Sequence, residues 1–278
     1  MQTSIEPTIT IIKPKPGWVP IHFSELWSYR ELLYFLVVRD LKVRYKQTVL
    51  GGLWAIIQPL FTMLVFTFFF GKLAKIPSDG IPYPIFVYAG LLPWTYFSNA
   101  LSNSGNSLVG NANLIAKVYF PRLLIPGSAV LSALMDFAVS FLVLAGLLIY
   151  YRIAPGPEMA LVPVLILLTV FCALGVGLWL SALNAQYRDI RYAIPFLIQI
   201  WLFVSPVIYP ISLVAPKWQW LLALNPMGGI ITAFRAALLG HQPIDWFLLH
   251  ISALTTLFFL GSGLFYFRRT EKTFADII

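Results

Sequence analysis

The feature that most constrains the fold of this chain is a series of long stretches with almost no charged side chains. The first of them runs LWAIIQPLFTMLVFTFFF between Gly52 and Gly71 and contains no charge. A helix that crosses the hydrocarbon core of a bilayer needs about 20 mainly apolar residues. Only 11% of the chain is charged, whereas soluble domains average about 25%. The sequence therefore predicts an integral membrane protein.

We predict an all-α membrane domain with six transmembrane helices. The predicted spans cover residues 52–71, 83–104, 123–151, 159–184, 192–211 and 246–267. Segment 217–240 is also apolar, but Asn225, Pro226, Gly228 and Gly229 divide it into pieces too short to cross a bilayer. Irregular backbone at membrane depth must be covered by protein or water. We therefore interpret this segment as a re-entrant helical hairpin between spans five and six.

The segment before the first span divides into a tail and a helix. Residues 1–23 are rich in proline and lack the features of a cleaved signal peptide, so we expect a retained amino-terminal tail. In the remaining domain, 24–278, residues 24–48 predict an amphipathic interface helix. Ser28 and Glu31 would form a capping box at its start, and Asp40 would pair with Arg44 along its surface. Its basic face is equally typical of a helix that only rests on anionic lipid.

The distribution of Lys and Arg predicts the orientation in the membrane. With the amino terminus inside, 14 of the 19 basic residues fall on the cytoplasmic side. The other five are Lys72, Lys75, Arg152, Lys217 and Arg235. Cytoplasmic loops are enriched in basic residues, so we predict a multi-pass protein of the cytoplasmic (inner) membrane with both termini in the cytoplasm. The net charge of +8 then reflects topology rather than a nucleic-acid partner.

The sequence contains none of the common motifs for catalysis or nucleotide binding. The chain has no glycine-rich phosphate loop ending in Gly-Lys-Ser/Thr, and no GxSxG, HExxH or GxGxxG string. Its three histidines are scattered, and its one cysteine, Cys172, lies in an apolar run. We therefore expect no catalytic site, no metal site and no cofactor in this chain.

Asp136 is the one acidic residue deep within a predicted span. A carboxylate at membrane depth requires a partner or a proton. The preceding segment contains pairs of small residues four positions apart, Ser128 with Ser132 and Ala129 with Ala133. This spacing permits close contact between helices. We expect an interhelical hydrogen bond to Asp136, with a proton relay as the alternative.

Three strings in this order resemble the signature of one family. They are RDLKVRYKQTVLGGLWAIIQPL at 39–60, NANLIAKVYFPRLLIP at 111–126 and NPMGGIITAFRAALLG at 225–240. They resemble the ABC-2 type permeases that export polysaccharides and polyol phosphates, such as O-antigen, capsule and teichoic acid. The resemblance covers the chain from about Trp27 onward. It implies a transport subunit that pairs with a second copy of itself and with two ATP-binding cassette ATPase subunits.

The resemblance also implies roles for individual residues. ATP and Mg would bind to the ATPase, and a glycan or lipid-linked glycan would pass between the two permease copies, within membrane lipid. The ATPase-coupling residues would be Arg39, Asp40, Lys42, Arg44, Tyr45, Asn113, Lys117, Arg122, Arg188 and Asp189. Spans one and five would line the channel through Trp54, Pro59, Phe61, Phe66, Trp201, Phe203 and Tyr209. A gate at the outer mouth would comprise Asn225, Pro226, Gly228, Gly229 and Arg235.

Two other functions stay open on the sequence alone. An integral membrane glycan-processing enzyme would be equally rich in aromatic residues, but its acids usually lie on a sizeable outer loop. The predicted outer segments here are short and hold only Asp79, Glu158 and Asp245. A proton-coupled secondary transporter would require more than one carboxylate within the membrane, and Asp136 stands alone in the predicted spans. Both functions therefore rank behind an exporter subunit.

The aromatic residues on the spans also have an interpretation other than channel lining. Trp and Tyr collect at membrane interfaces, so a single ring can lie there without contacting a substrate.

Overall fold

The computed structural model describes residues 23–46, 51–240 and 242–274, and all regular structure in these ranges is helical. The all-α prediction is therefore confirmed for the described residues. The helices are α1 (Phe23–Ser28), α2 (Arg30–Tyr45), α3 (Trp54–Phe66), α4 (Tyr83–Gly110), α5 (Ala112–Lys117), α6 (Leu124–Tyr150), α7 (Val162–Gln186), α8 (Ile190–Val204), α9 (Pro216–Leu224), α10 (Pro226–Leu239) and α11 (Trp246–Thr270). A 3-10 turn precedes α3, and a π-helical segment, Thr67–Leu73, extends it.

Four helical segments in these ranges are long and apolar enough to cross a membrane. They are Gly51–Leu73, Leu124–Tyr150, Pro157–Gln186 and Trp246–Thr273, which correspond to predicted spans one, three, four and six. A fifth candidate is the pair Lys217–Leu224 and Pro226–Leu239, between which the chain bends by 100°. The chain is thus a multi-pass membrane protein. The full six-span arrangement with a re-entrant hairpin stays a prediction.

Helix α4 lies at the centre of the bundle although it is less apolar than those four segments. It packs against α3, α6, α7, α8 and α10, and most of its side chains are buried. It continues to Gly110, beyond the predicted end of span two at residue 104. Because protein rather than lipid surrounds this helix, it tolerates the polar run SNALSNSGNS that a lipid-facing span would exclude.

Helix α8 is shorter than the predicted fifth span. It ends at Val204, whereas the prediction ran to residue 211. Fifteen helical residues reach about 22 Å at 1.5 Å per residue, less than the roughly 30 Å of a hydrocarbon core. The helix stops because Pro206 has no backbone N–H to continue it, and Pro210 follows four residues later. The segment between these prolines is held by side chains from other helices, described below.

The predicted interface helix is split into α1 and α2, which meet at Tyr29. The predicted capping box is wrong, because the Ser28 hydroxyl donates to the backbone oxygen of Glu25 at 2.7 Å and α2 has no side-chain cap. Helix α2 packs along α6 and buries Leu36. Residues 1–22 of the predicted tail and 47–48 of the predicted helix lie outside the described residues.

The described loops gather at two opposite ends of the bundle. A small apolar core of Leu36, Phe120, Ile125, Phe267 and Phe274 joins α2, the loop after α5, the start of α6 and the end of α11. These parts lie in or next to segments predicted to be cytoplasmic. At the other end, the hydroxyl of Ser212 donates to Asp79 at 2.8 Å, which joins two segments predicted outside. Nearby, the hydroxyl of Tyr83 at the start of predicted span two donates to the Ile208 oxygen near the end of predicted span five at 2.8 Å. The grouping of loops agrees with the charge-based topology. Which end faces the cytoplasm stays a prediction.

Candidate functional site

Asp136 forms an ion pair between two helices. It lies 12 residues after Leu124, roughly 18 Å along α6 at 1.5 Å per residue. Its carboxylate accepts hydrogen bonds from the guanidinium of Arg44 and the hydroxyl of Tyr45, both at the end of α2. The side chains of Arg44 and Asp136 are only 28% and 17% exposed. The expectation that Asp136 has an interhelical partner is therefore confirmed.

The predicted pairing of Asp40 with Arg44 is wrong. Asp40 instead binds the neighbouring Arg39 at 2.8 Å and accepts a hydrogen bond from Ser128 of α6 at 3.2 Å. An exposed pair four residues apart on a helix contributes only about 0.2–0.5 kcal/mol. A half-buried carboxylate left without a partner costs more than that. Asp136 therefore outcompetes Asp40 for the guanidinium, and α2 becomes tied to α6 at two points.

A third polar contact ties α3 to α6. Pro59 lies inside α3 without ending it, and it has no N–H to bond the carbonyl oxygen of Ala55 one turn earlier. The hydroxyl of Ser140 on α6 donates to that oxygen at 2.8 Å. A neighbouring helix thus supplies the hydrogen bond that the proline removes, as is usual for proline in membrane helices. This contact lets α3 continue past Pro59 beside the ion pair.

These contacts frame an open cavity of about 270 Å³ between α2, α3, α4 and α6. The Arg44–Asp136 pair forms one wall, and the predicted channel residues Trp54 and Pro59 form another. The polar side chains of Gln58, Thr95, Asn99 and Asn103 complete the lining. We call this space the α2–α4 cavity. It brings predicted coupling residues and predicted channel residues to one place.

The four polar residues Gln58, Thr95, Asn99 and Asn103 were not predicted as functional from the sequence. A signal for three of them was present, because Thr95, Asn99 and Asn103 are spaced four apart and so share one face of a helix. The sequence shows that the second half of α4 is polar, but it does not show which way these side chains point. The direction depends on where α3 and α6 pack.

Other predicted channel residues are distributed over separate surfaces. Phe61 on α3 and Phe203 on α8 are 65% and 54% exposed on the surface of the single chain. Phe66 packs edge-on against Phe70 at a centroid distance of 5.5 Å. Tyr209 follows α8, and its hydroxyl donates to the Phe203 oxygen at 3.3 Å. The channel roles of these residues stay predictions.

The bend between α9 and α10 is built around Asn225. Its side-chain oxygen accepts from the Met227 backbone N–H at 3.1 Å, which caps α10, and from the Trp201 indole at 2.8 Å. Its amide nitrogen donates to the Ser205 hydroxyl at 2.9 Å. Pro226 occupies the first turn of α10, where its missing N–H has no cost. One buried amide thus joins the bend to the end of α8.

The two glycines after the bend allow close approach of backbone. A Cβ atom on Gly228 would lie 2.6 Å from the Leu222 oxygen of α9. One on Gly229 would lie 2.7 Å from the Leu248 oxygen of α11. Small residues at such contacts are typical of helix packing in membranes. Neither position has room for a larger residue without movement of the backbone.

Arg235 on α10 is buried within the protein, only 7% exposed, and is not on an outer loop as the charge count assumed. Its guanidinium donates to the backbone oxygens of Phe86 at 3.0 Å, Pro206 at 2.6 Å and Tyr209 at 3.5 Å, and also to that of Val207. It also lies over the Phe86 ring, 3.8 Å from the centroid. Arg235 therefore fastens the non-helical segment after α8 to α4 and α10.

The remaining predicted coupling residues lie near the end of the bundle that holds the small apolar core. Lys42, Asn113, Lys117, Arg188 and Asp189 are exposed there. Arg122 differs, since its backbone N–H donates to the Glu271 carboxylate at 3.3 Å and its guanidinium to the Glu271 backbone oxygen. It links the loop before α6 to the end of α11. The exposed set leaves a polar surface at this end, while Arg44, Tyr45 and Arg122 contact the chain itself.

Comparison with known proteins identifies the family. The family profile described as "ABC-2 type transporter" matches residues 31–239, from α2 through α10. The chain belongs to the ABC-2 type transporter family. It is 33% identical over 259 residues to the O-antigen export system permease protein RfbA of Myxococcus xanthus. The aligned region covers 91% of this chain and 98% of that protein. The ABC-2 match includes both the ion-paired α2 and the bend at Asn225.

Two further ABC-2 relatives are similar over most of their length. The O-antigen export system permease protein RfbA of Klebsiella pneumoniae is 28% identical over 249 residues, with 89% of this chain and 95% of that protein covered. The polysialic acid transport protein KpsM of Escherichia coli is 25% identical over 242 residues, with 85% and 92% covered. These relatives are named as transport proteins rather than enzymes. The family expected from the three sequence motifs is thus confirmed.

Proposed function

We propose that this chain is the permease subunit of an ATP-binding cassette exporter that moves a polysaccharide, lipid-linked during transport, across the cytoplasmic membrane. The observation that carries the proposal is the similarity to an O-antigen export permease over 91% of the chain. Energy would come from a separate ATPase subunit that binds ATP and Mg. The permease would contribute the pathway and perform no covalent chemistry.

The surfaces of α3 and α8 support assembly of two copies around a channel. Phe61 on α3 and Tyr192, Phe196 and Phe203 on α8 are all more than half exposed in the single chain. Both helices pack against α4 on their inner sides. Their exposed sides are therefore available to lipid or to a second copy. We propose that part of this surface lines the channel and that the aromatic rings contact sugar units there.

The polar end of the bundle supports an ATPase interface. Lys42, Lys117 and Arg188 come from three different segments and are exposed at one end. Helix α2 is tied to α6 through Asp136, so a force applied at α2 reaches the membrane helices. Two ATPase copies would bind two permease copies at this surface. The pairing of Asp136 with Arg44 also disfavours a free proton-relay carboxylate.

The function is tested by deleting the gene for this chain in its native host. We expect surface polysaccharide to disappear and lipid-linked polysaccharide to accumulate inside the cell, with recovery when the gene is returned. An ATPase variant in which the phosphate-loop lysine is replaced should give the same phenotype. Unchanged surface polysaccharide in the deletion strain would overturn the proposal.

The six-span topology with both ends in the cytoplasm is tested by single cysteines. Glu158 and Thr273 are both exposed, and Cys172 is fully buried. A cysteine at Glu158 should react with an impermeant thiol reagent applied outside. One at Thr273 should react only after lysis. External labelling of Thr273 would contradict the topology.

A further inference from the structure

The α2–α4 cavity carries hydrogen-bonding groups that helix packing does not use. Gln58, Thr95, Asn99 and Asn103 line it. None of these four side chains makes a hydrogen bond to any of the residues that the structure describes. Gln58 and Asn103 are exposed and Thr95 and Asn99 are partly exposed, so their donors and acceptors are accessible to a molecule in the open cavity. Three side-chain amides and one hydroxyl in the same cavity therefore point to an occupant that forms hydrogen bonds with them.

The charge of the cavity restricts the occupant. Arg44 and Asp136 are the charged residues in its lining, and each neutralises the other. An anionic group would have to take the guanidinium away from Asp136 and leave that carboxylate with only the Tyr45 hydroxyl as a partner among the described residues. Asn, Gln and Thr side chains both donate and accept hydrogen bonds. This lining suits an uncharged molecule with several hydroxyl groups.

The apolar part of the lining restricts the shape of the occupant. Trp54 and Phe137 present flat aromatic surfaces, and Pro59 and Leu92 add aliphatic surface. The volume of about 270 Å³ is near the lower end of small-molecule sites, which begin at about 300 Å³. A single ring with an apolar face and a polar rim fits these limits. A longer stretch of polymer does not.

We propose that the α2–α4 cavity binds one uncharged sugar unit of the exported glycan. Asn99 and Asn103 of α4 and Gln58 of α3 bind its hydroxyl groups, and Trp54 contacts its apolar face. The proposal rests on the function proposed above and adds a specific site beside the pathway. The site includes Arg44 and Tyr45 at the end of α2, so a shift of α2 changes its shape. Occupation of the site is thereby linked to the helix that we expect to contact the ATPase.

A stability measurement separates a binding role from a structural one. Replacement of Asn99 and Asn103 by leucine removes no internal hydrogen bond, so the melting temperature of the purified complex should stay the same or rise. Export, measured as surface polysaccharide, should fall at least tenfold. The control Gln242→Leu changes an exposed amide outside the cavity and should leave both quantities unchanged. A lower melting temperature in N99L/N103L, or unchanged export, would overturn the proposal.

Contact with the glycan is measured by photo-crosslinking in exporting cells. A benzophenone amino acid is placed at Asn99 or Asn103, and for comparison at Ile149, which is 80% exposed on α6. The probe is the cell's own polymer, and mass spectrometry identifies the adduct. We expect neutral sugar adducts at 99 and 103 and none at 149. Phospholipid or charged-sugar adducts at 99 and 103, or no adduct while export continues, would overturn the cavity assignment.

The two proposals fail in different ways. If the deletion strain loses surface polysaccharide but positions 99 and 103 give no sugar adduct, the export function stands and the sugar site is wrong. If surface polysaccharide does not depend on this chain, the export function itself is wrong. The crosslinking result is interpreted only alongside that measurement.

Discussion

Two arginines, Arg235 and Arg44, have opposite kinds of partner in this protein. Arg235 binds the backbone oxygens of four residues, has no carboxylate partner among the described residues and is almost fully buried. Arg44 binds one carboxylate, Asp136, and lies at the edge of an open cavity. The first arrangement holds irregular backbone in place. The second holds a charged pair where a neighbouring helix and a ligand can reach it.

The difference between these two sites distinguishes polar groups that maintain the fold from polar groups that are available to a ligand. A guanidinium whose donors are taken up by carbonyl oxygens leaves nothing for a substrate, so Arg235 is part of the framework. In the α2–α4 cavity, the ion pair stands beside amides that have no partner among the described residues. The two regions should therefore respond differently to substitution. Substitutions around Arg235 should lower stability, and substitutions in the cavity should impair function first.

The largest effect is expected for Arg235→Leu. This change leaves the carbonyl oxygens of Phe86, Pro206 and Val207 without their donor, at about 1–3 kcal/mol for each buried group. Membrane abundance should fall severely, since total stability is only about 5–15 kcal/mol. Immunoblots of membranes and melting in detergent measure the effect. The control Arg269→Leu alters an exposed arginine and should be tolerated. If R235L were as abundant in membranes as R269L, the distinction between Arg235 and Arg44 would be wrong.

An intermediate effect is expected at Asp136. Asp136→Leu leaves Arg44 without its carboxylate and should cost about 2 kcal/mol, below the 3–5 kcal/mol of a fully buried pair because both side chains are partly exposed. Asp136→Asn keeps an acceptor for Arg44 and Tyr45 and should retain most of the stability. Melting of R44M, D136L and the double variant gives the coupling energy. Additive effects would show that the pair does not join α2 to α6.

A somewhat smaller effect is expected for Asn225→Ala at the bend between α9 and α10. It removes the cap of α10 and the bonds to Trp201 and Ser205. Loss of an N-cap costs about 0.5–2 kcal/mol. Asn225→Asp retains the cap and the acceptor for the indole, so it should melt closer to the unchanged protein than Asn225→Ala does. Equal melting temperatures for the two variants would show that the capping oxygen is unimportant.

The smallest effect is expected for Arg39→Ala. Its ion pair with Asp40 is partly exposed, and such pairs contribute about 0–1 kcal/mol. Stability should change little, in contrast with Arg44→Ala on the same helix. If Arg39 contacts the ATPase, as the family resemblance implies, co-purification of the ATPase should weaken while the melting temperature of the permease alone is unchanged. Equal melting losses for R39A and R44A would remove the distinction between the two sites.

Much of the architecture was predictable from the sequence because it depends on local properties. Charge-free stretches of sufficient length predicted four segments that the structure shows as candidate spans. Proline and glycine predicted the break near Asn225, since these residues interrupt helices wherever they occur. Three ordered motifs predicted the ABC-2 family, which the match over residues 31–239 confirms. Each of these properties can be read within a short window of sequence.

The partners of the polar groups were decided only by the tertiary structure. Arg44 binds Asp136, 92 positions away, rather than Asp40 in the preceding turn of its own helix. The carbonyl of Ala55, which Pro59 leaves without its helical donor, accepts a hydrogen bond from Ser140. Helix α4 proved central although its second half is polar. The physical reason is that a charge or hydrogen-bonding group takes the partner that most reduces the cost of burial. That partner is known only once the helices have packed.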